Sequence, residues 1–296
     1  MYRLGNLLSS PPTAPHQAAL REELARQGFV EGHNLWIDRD GYGLAIDQLG
    51  RHATVLVGSG VDVIIAGGDA AVRTAQQATA EIPILALTDD MVGQGFVHSL
   101  ARPGGNITGV TILAAELDGK RQEILLEAVP GTRHIAVLAD STITSNAHLN
   151  ALAEEAAGRG IALSVHRARS ASGLISAIDG AAASGATAIN VLASAFLFNN
   201  RAIVFDRIAA VKLPAVYQWP EMAREGGFLG YGPSIVQLYR DVQSRQLIRL
   251  LRGAKPADLP VEQPTKFGLI INLKTATALS LTVPPSLLAR ADEIIE

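Results

Sequence analysis

The chain is dominated by one regular pattern, in which short apolar runs rich in β-branched residues alternate with longer segments of helical period. This is the order of βαβ units, in which helices cover a mainly parallel sheet, so the pattern predicts an α/β fold. It predicts strands at 2–8, 34–38, 61–66, 84–87, 107–112, 135–139, 162–166, 188–192, 215–217, 228–230 and 267–271. Helices are predicted at 16–27, 70–80, 117–129, 147–158, 173–184, 235–251 and 286–294.

The predicted strands form two sets of about five, separated near residues 112–116, and each set suffices for one doubly wound sheet. A chain of 296 residues is long enough for two lobes with separate cores. The segment 259–266 contains two prolines and breaks the periodicity, which favours an extended crossover between lobes. We therefore expect two α/β lobes, each with a parallel central sheet.

Composition excludes several classes of function. Charged residues make up 18% of the chain and the formal net charge is -3, so there is no basic excess for binding nucleic acid or an anionic membrane. No apolar run reaches the roughly 20 residues of a membrane-spanning helix. Cysteine is absent, which removes disulfides and thiolate chemistry but does not identify the compartment.

Cofactor and metal motifs are also missing. The segment 93–98 fails the G-x-G-x-x-G pattern at its third glycine, and neither the P-loop nor the G-x-S-x-G motif occurs. The seven histidines lack H-x-x-H or H-E-x-x-H spacing, and we expect them at the surface or in turns. The sequence thus predicts no cofactor, no metal and no enzymatic activity.

Small and polar residues recur where predicted strands end. In open α/β sheets ligands bind outside the carboxyl ends of the strands, so these residues are candidates for ligand binding. Each alone is more often a cap than a ligand contact, and a helix N-cap is the favoured interpretation for Asp89 and Asp90. The candidates are Ser9, Ser10, Gly68, Asp69, Thr88, Asp90, Asp140, Ser141, Thr142 and Ser194.

Two aromatic residues complete the candidate ligand site. Trp219 and Tyr231 follow late strands, where they could stack on a flat ligand or simply pack between the lobes. We expect them to face one cavity between the lobes, together with the polar candidates.

Several long motifs resemble those of the ABC transporter substrate-binding proteins of the tryptophan/tyrosine-type family, and the resemblance covers almost the whole chain. They include Ser99-Leu-Ala-Arg-Pro-Gly-Gly-Asn-Ile-Thr-Gly109, Glu116-Leu-Asp-Gly-Lys-Arg121, Gly226-Gly-Phe-Leu-Gly-Tyr-Gly232 and Pro285-Ser-Leu-Leu-Ala-Arg-Ala-Asp-Glu-Ile-Ile295. The resemblance implies a type I periplasmic-binding architecture with two Rossmann-like lobes and a three-crossover hinge. Lobe one would comprise 1–112 and 230–262, and lobe two 113–229 and 263–296, with the ligand cleft between them.

The resemblance also implies a function. The protein would be a monomer in the periplasm, with its targeting segment absent from this sequence. It would bind a small molecule by closure of the lobes and deliver it to a membrane permease. The ligand would be an amino acid, typically aromatic, or a related aromatic carboxylate. A sensory ligand-binding module is the alternative, and a Rossmann-type enzyme ranks below both.

Two departures from the family pattern add carboxylates near the expected pocket. Asp89-Asp90-Met91-Val92 stands where the family usually has Gly-Asp-Pro-Val, and Gly68-Asp69-Ala70 stands where Gly-Thr-Pro is usual. Asp69 would repel a ligand carboxylate at the helix N-terminus. The sequence leaves open whether Asp69 and Asp89 contact the ligand.

Overall fold

The computed structural model describes all residues from 1 to 296 and contains twelve β-strands. Most strand bounds lie within two residues of those expected from the sequence. The strands are β1 (Tyr2–Leu7), β2 (Leu35–Ile37), β3 (Val63–Gly67), β4 (Ile84–Thr88), β5 (Ile107–Thr111), β6 (His134–Asp140), β7 (Ala162–Ala168), β8 (Ala188–Val191), β9 (Ala215–Tyr217), β10 (Leu229–Gly232), β11 (Gly268–Asn272) and β12 (Glu293–Ile295).

Helices follow most of the strands, as βαβ units require. They are α1 (Pro15–Arg26), α2 (Leu49–Ser59), α3 (Asp69–Ala78), α4 (Ala114–Ala128), α5 (Asn146–Gly158), α6 (Ala171–Ala183), α7 (Ala195–Asn199), α8 (Arg201–Val211), α9 (Pro220–Arg224), α10 (Ile235–Gln237), α11 (Ser244–Leu251), α12 (Leu273–Ala278) and α13 (Pro285–Leu288). Short 3₁₀ turns lie at Ile46–Gln48 and Pro256–Asp258, and a π-helical segment at Leu238–Gln243 joins α10 to α11. No helix has both the length and the apolar character needed to cross a membrane.

The chain forms two compact units and passes from one to the other three times. Unit one contains Met1–Leu113 and Ile235–Thr265, and unit two contains Ala114–Ser234 and Lys266–Glu296. Our sequence-based bounds placed residues 230–234 in lobe one. In the structure they belong to unit two, because β10 pairs with β9 and β11 of the same sheet.

Unit one contains a five-stranded parallel sheet in the order β2-β1-β3-β4-β5. Its core cluster joins apolar side chains of the strands, such as Ile64 and Ile84, to Leu56 of α2 and Val72 of α3. All four side chains are at most 1% exposed. Full burial of one such side chain contributes about 1.5–3 kcal/mol, so these helices hold the sheet in place.

The segment that follows α11 is ordered along β5, as the two prolines suggested. Thr108 donates its hydroxyl to the main-chain oxygen of Leu259 at 2.7 Å, and the main-chain N–H of Glu262 donates to Gly109 at 2.9 Å. The chain then leaves unit one at Thr265.

Unit two contains a seven-stranded sheet in the order β12-β11-β10-β9-β8-β6-β7. Its neighbouring strands run parallel except for β10 and β11, which are antiparallel. Strands β7, β6, β8, β9 and β10 repeat the order found in unit one, and β11 and β12 extend the sheet beyond it.

The prediction of a helix over 286–294 was wrong at its C-terminal part. The helix α13 ends at Leu288, and β12 instead pairs in parallel with β11. Asp292 anchors this arrangement, because its main-chain N–H donates to Leu269 while its carboxylate accepts the Leu269 N–H at 2.8 Å. Pairing with a distant strand therefore overrides the local helical period.

The predicted helix over 235–251 is helical throughout but is interrupted by the π-helical segment. This segment buries Tyr239, which is 3% exposed, and Gln243, which is 1% exposed. Gln243 donates its side-chain Nε2 to the main-chain oxygen of Ala86 on β4 at 3.1 Å. Such π-helical turns occur frequently at functional sites, and this one joins the helix to the sheet of unit one.

Candidate functional site

In unit one, the carboxyl ends of the parallel strands form one edge of the sheet, which we call the carboxyl-end edge. The strand order places β1 between β2 and β3, so the topological switch point lies between β1 and β3. Ser9 and Ser10 follow β1, and Gly68 and Asp69 follow β3. Four of the predicted site residues thus lie where an open α/β sheet binds ligands.

Ser10 is 9% exposed, and its hydroxyl oxygen accepts a hydrogen bond from Nε2 of Gln17 at 3.3 Å. Gln17 lies on the first turn of α1 and is 1% exposed. Since Ser10 Oγ acts as an acceptor toward Gln17, its own proton can be donated to another acceptor. Ser9 is half-buried beside it.

Gly68 and Asp69 form the start of α3. Gly68 has a φ of 86°, in the region that favours glycine, and its N–H donates to the main-chain oxygen of Leu87 at 2.9 Å. Asp69 is the first residue of the helix and is 8% exposed. A carboxylate at this end of a helix is stabilised by the helix dipole.

Thr88, Asp89 and Asp90 lie at the end of β4. Thr88 is 2% exposed, and its hydroxyl oxygen has no hydrogen-bond partner. Asp89 is half-buried, and its main-chain oxygen accepts a hydrogen bond from Thr111. The exposed Asp90 accepts the Gly93 N–H at 2.8 Å. The expected helix N-cap is wrong here, because residues 91–95 form turns and no helix begins.

In unit two the equivalent switch point lies between β6 and β8. Asp140 ends β6, and Ser194 follows β8 as the N-cap of α7. The Ser194 hydroxyl donates to Oδ2 of Asp140 at 2.9 Å and accepts the Leu197 N–H at 3.1 Å. The structure therefore brings two predicted site residues of separate strands into direct contact.

Asp140 is a buried carboxylate that is held only by neutral donors. It is 3% exposed, and its Oδ1 accepts hydrogen bonds from the main-chain N–H of Thr142 at 2.9 Å and from the Thr142 hydroxyl at 2.6 Å. No Lys, Arg or His forms an ion pair with it. Ser141 is exposed, and its N–H donates to Ala168 of β7. These three hydrogen bonds offset part of the cost of burying the Asp140 carboxylate without a cation.

Asp118 and Arg121 form an ion pair beneath the carboxyl-end edge of the sheet in unit two. The sequence analysis did not single them out. Both are 0% exposed, and Nη1 of Arg121 lies 2.6 Å from Oδ1 of Asp118. Arg121 also donates Nε to the main-chain oxygen of Tyr231 at 2.7 Å and Nη2 to that of Gln218 at 3.1 Å. Asp118 accepts the Ala193 N–H at 3.1 Å. The pair thus ties the ends of β8, β9 and β10 together.

The charges around Asp118 act in opposite directions. Burial raises the pKa of the Asp118 carboxyl, while the neighbouring Arg121 guanidinium and His148 lower it. His148 Nε2 lies 3.5 Å from Oδ2 of Asp118, so α5 also contributes to the cluster.

Gln218 is a second residue that the sequence analysis missed. It follows β9, is 4% exposed and exchanges two hydrogen bonds with the main chain of Ser194. Its Nε2 donates to the Ser194 oxygen at 3.0 Å, and its Oε1 accepts the Ser194 N–H at 3.2 Å. Its position one residue after a predicted strand was the available signal.

Trp219 and Tyr231 are packed within unit two. Trp219 is 4% exposed, and its ring meets Phe198 edge-on at 6.2 Å. Tyr231 is half-buried and stacks on Phe267 at 6.4 Å. Trp219 is therefore buried beside Phe198 of α7, and its contact with a ligand stays a prediction.

The expectation that the histidines lie at the surface or in turns is wrong for His16 of α1. His16 is 4% exposed and lies against Tyr239 with ring centroids 4.7 Å apart. His52 Nε2 lies 2.6 Å from Oδ2 of the buried Asp38. No three His, Cys, Asp or Glu side chains in the structure are placed to hold a metal ion.

Two doubly wound units, joined by three passages of the chain and each with polar residues at its switch point, define the type I periplasmic-binding class. The chain belongs to the family described as ABC transporter substrate binding protein, whose model matches residues 6–295. The family and the fold inferred from the sequence motifs are confirmed.

Relatives support the same class. The tyrosine-binding protein of Clostridioides difficile is 24% identical over 289 residues, covering 94% of this chain and 80% of that protein. A conserved domain protein of Vibrio cholerae is 24% identical, with a TM-score of 0.87 over 99% of this chain and 98% of that one. The ABC domain of Streptococcus pneumonia in complex with L-Trp is 22% identical, with a TM-score of 0.85 over all of both chains.

Proposed function

We propose that this protein is the extracytoplasmic receptor of an ABC importer and that it binds an amino acid through its carboxyl-end edges. The observation that carries the amino-acid assignment is Asp140, a buried carboxylate that has only neutral donors. It lies at the switch point of unit two, where this fold class receives ligands.

The ligand's ammonium group binds Asp140. The oxygen Oδ1 already accepts two hydrogen bonds from Thr142, and Oδ2 accepts one from Ser194, so the carboxylate is fixed in place before the ligand arrives. Because a carboxylate oxygen has about two acceptor sites, Oδ2 retains the capacity to accept a hydrogen bond from the ligand. A fixed carboxylate in a buried site attracts an ammonium more strongly than one in water does.

The ligand's carboxylate is received in unit one by hydrogen-bond donors. Ser10 is suited to this role, because Gln17 donates to its oxygen and leaves its proton for the ligand. Asp69 disfavours a carboxylate immediately at the start of α3, so Ser10 and the first turn of α1 are the preferred contact.

The aromatic preference and the permease partner are further parts of the proposal. One relative is named for tyrosine binding and another was crystallised with L-Trp, and membership in an ABC substrate-binding family implies delivery to a permease. We propose a location outside the cytoplasmic membrane for the same reason. Delivery itself requires no catalysis by this chain.

The test is calorimetric titration with L-Tyr, L-Trp and L-Phe, and with two analogues of tyrosine. Tyramine lacks the carboxylate, and 3-(4-hydroxyphenyl)propionate lacks the ammonium. We expect Asp140→Asn to weaken binding of the best amino acid by about 1.5–3 kcal/mol, or about 10- to 150-fold, the usual contribution of a hydrogen bond to a charged group.

The matched control is Asp206→Asn, because Asp206 is an exposed residue of α8. It should leave the affinity unchanged. The analogue without an ammonium group, 3-(4-hydroxyphenyl)propionate, should bind both Asp140→Asn and the parent weakly and about equally. If Asp140→Asn binds the amino acid as tightly as the parent does, the proposed ammonium site is refuted. A lack of binding by any amino acid would refute the ligand class. Uptake of the labelled ligand by membranes containing the cognate permease tests the transport role.

A further inference from the structure

Unit two contains a cavity of about 290 Å³ that lies against β9 and extends to the amino-terminal edge of the sheet. This is the edge opposite to Asp140 and Ser194. Leu213 precedes β9 and Phe228 precedes β10, and both line the cavity together with the C-terminal end of α8. The helix α12 closes one side, because it follows the antiparallel strand β11 and so starts at this same edge.

The walls of the cavity are largely apolar and partly aromatic. The lining includes the rings of Phe205, Tyr217 and Phe228 and the aliphatic side chains of Ile208 and Leu279. The rings of Phe205 and Tyr217 meet edge to face at 5.0 Å. Thr275 also lines the cavity, but its hydroxyl already donates to the main-chain oxygen of Gly226 at 2.9 Å.

Lys212 is the only charged residue that lines the cavity. It is exposed, and none of the ion pairs of the structure includes it. Its ammonium group is therefore available to an anion at the rim of an apolar space.

The backbone of Lys212 gives an independent reason to notice this residue. It ends α8 with a φ of 54°, the left-handed conformation for which glycine is the usual choice. A side chain in this conformation costs about 1–2 kcal/mol. The left-handed backbone therefore disfavours any side chain here, while the helix dipole favours a cation at this end of α8.

We propose that this cavity binds a small aromatic monocarboxylate, with its ring among Phe205, Tyr217 and Phe228 and its carboxylate at Lys212. An apolar cavity of about 150 Å³ is sufficient to bind benzene, so about 290 Å³ accommodates a ring with a short acidic side chain. The site is separate from the proposed amino-acid site, since it lies at the other edge of the sheet.

The experiment uses methyl-resolved NMR of the full chain with phenylacetate as the probe. We expect saturable shifts of the Ile208 and Leu279 methyl groups, which line the cavity. The methyl groups of Leu192 and Met91, at the carboxyl-end edges of the two units, should not respond with the same affinity. The neutral analogue phenylacetamide tests the contribution of charge.

Two variants test the assignment of Lys212. Lys212→Met should weaken phenylacetate binding about two- to fivefold and leave phenylacetamide unchanged, since only an exposed ion pair is lost. Lys212→Gly should show the same loss while melting at an equal or higher temperature, because it relieves the left-handed backbone. This separates lost binding from lost folding. The matched control is Lys274→Met, because Lys274 is an exposed lysine of α12 that does not line the cavity.

A third variant tests the cavity itself. Ala278 is an exposed residue of its lining, so Ala278→Phe should fill the space and abolish binding of both probes. The proposal is overturned if Ile208 and Leu279 show no saturable shift. It is equally overturned if Lys212→Met binds phenylacetate as tightly as the parent does, or if Ala278→Phe retains binding.

Discussion

Replacement of Arg121 by Met would leave the Asp118 carboxylate buried without its closest counter-charge. Arg121 is fully buried, and its guanidinium reaches Asp118 and the main-chain oxygens of Tyr231 and Gln218. Methionine fills a similar apolar volume but donates no hydrogen bond. One carboxylate and two buried carbonyl groups would therefore lose a donor.

The magnitude follows from these three losses. Breaking a buried ion pair from one side costs about 3–5 kcal/mol, and each orphaned carbonyl adds about 1 kcal/mol. Taking the lower value for the ion pair gives a loss of about 5 kcal/mol in the free energy of unfolding of unit two. Arg121→Lys keeps the charge but lacks the planar fork, so it should cost about 2 kcal/mol.

Urea unfolding followed by tryptophan fluorescence measures this loss in unit two when Trp219 is the only tryptophan. The chain has two tryptophans, so the parent for this experiment carries Trp36→Phe. Arg159→Met is the control, because Arg159 makes only partly exposed ion pairs with Glu123 and Glu155 and should cost less than about 1 kcal/mol. A loss below about 1 kcal/mol for Arg121→Met, or equal losses for Met and Lys, would refute the reasoning.

The same variant should show a characteristic dependence on pH. Burial raises the pKa of Asp118, and removal of Arg121 raises it further above its value in the unfolded chain. The folded state then binds more protons than the unfolded state, so the free energy of unfolding of the variant rises as the pH falls through the folded pKa. Its deficit relative to the parent should therefore shrink as the pH falls through the folded pKa of Asp118, and a constant deficit would contradict an unpaired carboxylate.

Two backbone positions give further predictions, both measured by thermal and urea unfolding. Gly232→Ala would bring its Cβ to 2.2 Å from the Gln218 oxygen and 3.2 Å from Nη2 of Arg121, so we expect a loss of about 3 kcal/mol. Gly158→Ala is its control, since a Cβ there meets nothing within 4 Å; equal effects of the two would contradict the clash. Ser280→Gly should stabilise unit two by about 0.5–1 kcal/mol, because Ser280 has a φ of 57°, and any destabilisation would count against this.

The sequence predicted the strands well because their signal is local. The run at 215–217 was assigned correctly to the residue, and the others differ by one or two positions. The C-terminal segment failed because β12 exists only through its pairing with β11, a tertiary interaction that outweighs the helical period. The π-helical segment at Leu238–Gln243 has no signal in the periodicity at all.

The candidate site was predictable to the extent that it follows from strand ends. Asp140 and Ser194 were found in this way, and their contact is a consequence of the strand order at the switch point. Asp118 and Arg121 were missed because oppositely charged residues three apart on a helix usually face solvent. A helical stripe through Asp118, Arg121 and Leu125 was the signal that places the pair on the buried face of α4.

The three passages of the chain also set the order in which the protein can be completed during synthesis. The bond from Gln243 to Ala86 joins residues 157 apart, so unit one cannot close until its second segment has been made. The sheet of unit two is completed later still, because β11 can pair with β10 only after the chain has returned from unit one. A nascent chain that ends at Thr265 contains all of unit one and still presents β10 as an unpaired strand edge. The last segment, Lys266–Glu296, therefore covers the edge through which partly made chains would otherwise associate.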